Sequence, residues 1–124
     1  MAYQTTWEPT GFIMRFTGDI TGEEIDEANE CFFRDPRSDS ARFQLVDLSQ
    51  ITSVDISVQD MARTAAYDLG ASRSNPRIKL AFVCTYAPMT KAVEEYIRVS
   101  RSLKSSWRFA IFEDEASARE WAEI

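Results

Sequence analysis

Apolar, strand-like runs alternate with amphipathic helical patterns along most of the chain, and this alternation constrains the fold more than any other feature. Strand-like runs cover 43–48 and 78–84, and the second is apolar almost throughout. Strands that alternate with helices predict parallel strands joined by right-handed crossovers. Between the two runs, apolar and small residues at helical spacing predict an amphipathic helix: Val58, Met61, Ala62, Ala65, Ala66 and Leu69.

The N-terminal part of the chain predicts a hairpin and then a helix. Pro9-Thr-Gly11 is a turn signal between two strand-like segments, 3–8 and 11–17, which pair as a hairpin. Thr21-Gly-Glu-Glu24 has the form of a capping box at the start of a helix. With the later elements the predicted order is β-β-α-β-α-β-α-β-α. We therefore predict an α/β sandwich with a five-stranded mixed sheet, an N-terminal β-hairpin and about four helices.

Length and charge limit the classes of protein that fit the sequence. The chain has 124 residues, and typical domains hold roughly 100–150, so we predict one domain over 1–124. The net charge of −6 argues against nucleic acid as a partner, because phosphate binding needs a basic surface. No apolar run approaches the ~20 residues of a membrane span, and the N-terminus lacks the features of a signal peptide. We expect a cytoplasmic protein that does not span a membrane.

The side chains that usually carry catalysis or bind metals are scarce. The chain contains no histidine, which removes the commonest general base and the commonest metal ligand. It shows no glycine-rich phosphate loop, no GxSxG motif and no metal-spaced ligand set. Cys31 and Cys84 are far apart in apolar runs, and we expect buried free thiols. The sequence thus predicts no enzyme, no catalytic residue, no metal site and no cofactor.

A polar segment after the strand 43–48 is the strongest candidate for a working surface. If the next helix begins near Val58, Ser57 is its N-cap, and Asp60 completes a relaxed capping box. A phosphate on Ser57 would face free backbone N–H groups and the positive end of the helix dipole. The interaction loop that we predict comprises Ser53, Asp55, Ser57 and Asp60, with Ser57 as the candidate phosphorylation switch. Alternatively, Ser57 only caps a helix.

The segment 47–55 resembles the hallmark loop of the STAS domain, the family of the anti-sigma factor antagonist SpoIIAA. That family has a strand, a turn and an Asp-Ser-Ser-Gly segment that opens a helix. In this resemblance Asp55 falls on the family's aspartate and Ser57 on its phosphorylatable second serine. Ile56 and Val58 stand where the family has its first serine and its glycine.

The rest of the chain resembles small bacterial proteins described as SpoIIAA-like or STAS/SEC14 domain-containing. The matching motifs include Phe16-Thr-Gly18 at the end of the hairpin and a terminal Ala118-Arg-Glu-Trp121. The resemblance spans nearly the whole chain, and its motifs are short and mostly structural. It implies a SpoIIAA-like (STAS-like) fold with helices on one side of the sheet, related to anti-sigma factor antagonists and to SEC14-type lipid carriers.

Two functions from different classes follow. The first is a non-catalytic, regulatory protein-interaction module that binds a protein partner through the loop around Asp55 and Ser57. The second is a carrier or sensor of a small apolar or lipid-like ligand, with a pocket between the sheet and the second and third helices. Edge strands also allow a homodimer. The residues predicted to line the pocket are Met61, Ala65, Met89 and Tyr96.

A basic run is predicted on the third helix. It consists of Arg98, Arg101, Lys104 and Arg108, with Lys91 further towards the N-terminus. Such a run can receive an anionic head group or an acidic partner. It is equally typical of a solvated helix face whose cations complement the C-terminal end of the helix dipole.

Overall fold

A computed structural model describes residues 3–123; positions 1, 2 and 124 of the predicted domain lie outside this range. The strands are β1 (Tyr3–Trp7), β2 (Gly11–Thr21), β3 (Phe43–Asp55), β4 (Lys79–Val83) and β5 (Arg108–Phe112). The helices are α1 (Gly22–Phe33), α2 (Val58–Ser74), α3 (Ala87–Ser102) and α4 (Glu115–Ala122). A short 3-10 helix, Pro36–Asp39, lies between α1 and β3. The predicted order of strands and helices is confirmed.

The strands form one sheet in the order β1-β2-β3-β4-β5. β1 and β2 pair antiparallel as the predicted hairpin, and every other neighbouring pair is parallel. Each parallel connection passes through a helix, as parallel strands require. The predicted five-stranded mixed sheet is therefore confirmed.

β2 and β3 run further than the sequence predicted. β2 and β3 pair from Gly11 with Phe43 to Thr21 with Asp55, so the polar segment that was predicted to follow the strand belongs to it. This extension is polar. It is partly exposed because it reaches past β4, which pairs only with residues 43–47 of β3. Gly18, predicted to end the hairpin, instead lies inside β2, next to a shift in the register between β2 and β3. Its backbone φ is 69°. Glycine adopts this left-handed conformation without a steric penalty.

One face of the sheet, which we call the three-helix face, packs against α1, α2 and α3. Phe12, Met14 and Phe16 point to this face from β2, and Ala28 and Phe32 meet them from α1. Ile25 of α1 is partly buried beside them. α2 and α3 add the remaining helical side chains of this core: Met61, Ala65, Met89, Val93, Tyr96 and Ile97.

The opposite face, which we call the α4 face, is covered by the last helix. Ala118 and Ala122 of α4 pack on apolar residues of the strands, and Phe112 and Trp121 lie at the edge of this smaller core. The expectation of helices on one side of the sheet is therefore wrong. The strand residues that alternate towards this face are Ile13, Phe43, Leu45, Ala81 and Val83.

Two predictions of burial are also corrected. Cys84 is buried as expected, but Cys31 lies exposed on α1. In α2, Val58 and Ala66 of the predicted apolar stripe are exposed. The helix instead buries three polar residues in line with Met61 and Ala65, because these continue the same helical face. They are Thr64, Asp68 and Ser72.

Candidate functional site

The connection from β3 to α2 consists of Ile56 and Ser57 alone. Ser57 is the N-cap of α2, and the capping box is complete. The backbone N–H of Asp60 donates to Ser57 Oγ over 3.0 Å, and the backbone N–H of Ser57 donates to Asp60 Oδ2 over 2.8 Å. This second bond holds the pKa of the Asp60 carboxyl below its usual value. The predicted N-cap is confirmed, and the cap leaves Ser57 exposed.

The other residues of the predicted interaction loop lie on the exposed extension of β3. Asp55 is the last residue of the strand, level with Thr21 at the end of β2. Ser53 lies opposite Asp19 of β2, and its hydroxyl donates to the Asp19 carboxylate. The structure thus places Asp55, Ser57 and Asp60 around one strand-to-helix corner, while Ser53 belongs to the β2–β3 ladder.

Asp60 also connects the starts of α1 and α2. A Cβ atom placed on Gly22, the first residue of α1, would lie 2.9 Å from Asp60 Cγ, which is closer than packed atoms tolerate. Arg63 bridges Asp60 and Asp26, with N···O distances of 3.1 and 3.2 Å. Asp60 therefore contacts both the Ser57 cap and the start of α1.

A groove of about 400 Å³ opens beside the cap, between the end of β3 and the starts of α2 and α3. Val58 stands in its wall with 66% of its surface exposed, although an apolar side chain gains by burial. Lys91 and Glu95 of α3 supply its charges. The groove lies at the carboxyl ends of the parallel strands, where open α/β sheets commonly bind ligands. Its apolar lining consists of Val54, Ile56, Val58, Met61, Pro88 and Ala92.

A second space lies inside the three-helix face, where the sequence predicted a ligand pocket. Met61, Met89 and Tyr96 line this cavity, whereas Ala65 is buried in the same core outside its lining. Its volume is about 50 Å³, far below the ~300–1,000 Å³ of typical ligand pockets. Met61 lines the cavity and the groove alike, so its flexible side chain separates them.

A buried carboxyl that the sequence analysis missed borders the cavity. Asp68 of α2 accepts a hydrogen bond of 2.6 Å from the Tyr96 hydroxyl. Burial raises the pKa of Asp68 to about 7, and burial also raises the pKa of Tyr96. Among residues 3–123, Asp68 Oδ1 finds no hydrogen-bond partner. Asp68 shares the helical spacing of Met61 and Ala65, but a polar residue does not contribute to an apolar pattern.

The basic run does not lie on one helix. Arg98 and Arg101 belong to α3, Lys104 lies in the turn after it with φ 61°, and Arg108 begins β5. Arg98 pairs with Glu95 over 2.5 Å. For Arg101, Lys104 and Arg108 there is no ion pair within residues 3–123. The predicted third-helix location is thus wrong for the last two cations.

Residues 3–123 contain no group of three or more histidine, cysteine, aspartate or glutamate side chains arranged to hold a metal ion. None of the helices in that range is long and apolar enough to cross a membrane.

Comparisons with known proteins identify the fold. No family model matches the chain, and no curated protein matches it. Among solved structures it is similar to an uncharacterized protein of the DUF3478 family from Shewanella loihica PV-4, described as having a SpoIIAA-like fold. The TM-score is 0.53 at 14% identity, and the match covers 98% of this chain and 92% of that chain. The predicted SpoIIAA-like fold is confirmed, and at this identity the likeness carries no function.

Proposed function

We propose that this chain is a non-catalytic, regulatory protein-interaction module of the STAS type. Its working surface is the corner formed by Asp55, Ser57 and Asp60, together with the groove beside it. One observation carries the proposal: an apolar groove of about 400 Å³ lies directly beside an exposed serine, with Val58 66% exposed in its wall. Apolar surface that a monomer leaves open beside a polar rim is typical of protein contact sites.

The capping box gives a mechanism by which Ser57 regulates this surface. A phosphate on Ser57 would accept hydrogen bonds from the free N–H groups of α2. It would also meet the Asp60 carboxylate, which already accepts from the Ser57 N–H over 2.8 Å. Because like charges repel at this distance, the phosphate displaces Asp60 and takes Arg63 as its partner. The box then opens, and the contact of Asp60 with Gly22 is lost.

The test compares four variants with the wild type. First, the proteins that co-purify with each tagged chain from its native host are identified. The affinity of each variant for every purified partner is then measured. Val58→Glu places a charge in the groove wall, and we expect partner affinity to fall about tenfold or more. Ser57→Asp is expected to change affinity as well. Ser57→Ala should bind as the wild type does while losing about 1 kcal/mol of stability with its cap.

Ala66→Glu is the matched control, because Ala66 is exposed on the same helix, two turns from the groove. It adds the same charge and should bind normally. The proposal fails if Val58→Glu and Ser57→Asp bind every partner as tightly as this control does.

A small apolar ligand is the second candidate function, favoured by the cavity at Met61, Met89 and Tyr96. About 50 Å³ accommodates only a few heavy atoms, so a lipid tail would require α2 and α3 to separate. Mass spectrometry of protein from its native host, under native and denaturing conditions, distinguishes the candidates. A non-covalent adduct lost on denaturation favours the carrier, and a covalent phosphate mapped to Ser57 favours the switch.

A further inference from the structure

Three polar side chains around the cavity of the three-helix face lack hydrogen-bond partners. Asp68 and Gln44 are 6% and 2% exposed, and both line the cavity together with Asn29 of α1. Tyr96 bonds Asp68 Oδ2, and Asp68 Oδ1 has no partner within residues 3–123. In the same range neither the Gln44 nor the Asn29 side-chain amide forms a hydrogen bond. Buried polar groups are normally bonded, so three of them around one cavity indicate a site for a polar ligand.

The charge of the lining favours a cation. Among the described residues that line the cavity, Asp68 is the one acidic group, and no lysine or arginine accompanies it. Asp68, Gln44 and Asn29 each carry an acceptor oxygen, and a primary ammonium carries three N–H donors. The rings of Phe16 and Phe82 also belong to the lining, and aromatic faces attract cations. A primary ammonium therefore matches the lining in charge and in the number of its donors.

The burial of Asp68 strengthens this match. Removing a carboxylate from water is one of the two desolvation costs that make buried ion pairs unfavourable. Folding has already buried Asp68, as its raised pKa of about 7 reflects. A cation that enters the cavity therefore loses only its own hydration, and it meets the carboxylate where the local dielectric constant is low. Water would hydrogen-bond the same groups but carries no charge to balance the carboxylate.

The size of the cavity limits the ligand to a small molecule. A cavity of ~150 Å³ holds benzene, so about 50 Å³ holds about two or three heavy atoms. Most of the lining side chains are apolar, which suits a short alkyl group on the ammonium. Met61 separates the cavity from the groove at Val58. Its unbranched side chain changes rotamer readily, and this movement gives a small molecule a path from solvent.

We propose that the cavity binds a small primary alkylammonium ion. Its ammonium group donates to Asp68, Gln44 and Asn29, and its alkyl group packs on the apolar lining. This inference develops the second candidate function, because it rests on the same cavity and assigns it a cationic ligand in place of an apolar one. It does not depend on the partner surface at Ser57, because Asp68 lies outside the lining of the groove there.

The probe is ethylammonium chloride, titrated at pH 8 and constant ionic strength into protein that carries carbon-13 in its methionine methyl groups. At this pH Asp68, with a pKa of about 7, is mainly ionised. Met14, Met61 and Met89 line the cavity, so their NMR signals should shift and saturate. The controls are ethanol, which is neutral and polar, and dimethyl sulfide, which is apolar and equally small. Ethylammonium should bind about tenfold or more tighter than either.

Every other result overturns the proposal. Equal binding of ethanol would show that the site bonds polar groups without a role for charge. Equal or tighter binding of dimethyl sulfide would return the cavity to the apolar ligand of the second candidate function. The absence of a saturable shift with all three compounds would mean that the cavity holds water alone.

Two variants test the role of the carboxylate. Asp68→Asn keeps the shape of the side chain and removes its charge, so binding of ethylammonium should weaken about tenfold or more. Asp39→Asn is the matched control, because it changes the net charge equally from an exposed position in the 3-10 helix, and it should bind as the wild type does. An unchanged affinity in Asp68→Asn, or an equal loss in both variants, refutes the proposal. Asp68→Asn should still bind every partner protein normally, so this inference and the regulatory function at Ser57 fail independently.

Discussion

The two faces of the sheet are covered in different ways. The three-helix face buries a continuous apolar core under α1, α2 and α3, and that core encloses Asp68 and a cavity of about 50 Å³. The α4 face has a smaller core under one short helix, Glu115–Ala122, held at its border by ion pairs. The three-helix face thus depends on apolar burial and encloses a carboxyl group. The α4 face buries less apolar surface and adds ion pairs.

The ion pairs of the α4 face form a connected set, which we call the α4 network. Arg15 of β2 pairs with Asp47 over 2.8 Å and with Glu115 over 2.6 Å. Arg119 pairs with Glu115 and with Glu8, each over 2.8 Å. The hydrogen bond from Arg15 lowers the pKa of Glu115 to about 2. Burial instead raises the pKa of Asp68 to about 7, so we expect the stability of the two faces to respond to pH in opposite directions.

The largest difference should appear when an aromatic ring is removed from each face. Phe32, 1% exposed, contacts Trp7, Phe12 and Phe33. Phe32→Ala should lower the free energy of unfolding by about 3–5 kcal/mol, because it leaves a cavity. Trp121→Ala, on the partly exposed border of the α4 face, should cost about 1–2 kcal/mol. Guanidinium denaturation measures both, and equal losses would mean that the faces contribute alike.

The second prediction concerns Asp68. Its folded pKa of about 7 lies above the ordinary value of 3.8, so the folded state holds its proton more tightly. Stability from this group is complete below pH ~4 and declines as pH rises to ~7, by up to roughly 4 kcal/mol. Asp68→Asn should abolish the decline. Tyr96→Phe should move it to higher pH, because the Tyr96 hydrogen bond lowers the pKa.

Denaturation midpoints measured from pH 4 to pH 8 decide this prediction. If wild type and Asp68→Asn lose stability in parallel over that range, Asp68 is charged or hydrated in the folded protein and the three-helix face carries no such penalty.

The smallest effect is expected from the α4 network. Glu115→Gln should cost about 1 kcal/mol at neutral pH, a modest value because the pair is partly exposed and screened. The folded pKa of about 2 lies below the ordinary 4.5, so this stabilisation is present above pH ~4.5 and is lost as pH falls towards 2. Added salt should reduce it. Glu120→Gln, exposed on the same helix, is the control, and an equal cost there would remove any special role of the network.

The sequence predicted the fold well wherever a pattern is local or strongly periodic. The capping boxes at Thr21 and Ser57 were predicted because each lies within four consecutive residues. The polar extension of β3 was missed because an exposed strand that pairs mainly with one neighbour has no apolar alternation. The placement of all helices on one side was an implication of the resemblance, and the face on which Ala118 and Ala122 pack depends on the direction of the chain after β5, which no local pattern shows.

The candidate site likewise has one part that local sequence predicts and one part that depends on long-range packing. The corner of Asp55, Ser57 and Asp60 follows from sequence because its residues are neighbours in the chain. The groove does not, because its far wall comes from Pro88 and Ala92 of α3, and their distance from Val58 depends on how α2 and α3 pack. Asp68 was overlooked because a polar residue within a buried helical face conflicts with the usual apolar pattern.

The close approach of Gly22 to Asp60 also has a consequence for how this chain can evolve. A side chain at position 22 would occupy the space that the carboxyl of Asp60 now fills, so a larger residue at position 22 requires a change at position 60. In a set of homologous sequences, a larger residue at position 22 should accompany a shorter one at position 60. Lineages that keep the pair should also keep a serine or threonine at 57, because the carboxyl is held in place by the cap that it completes.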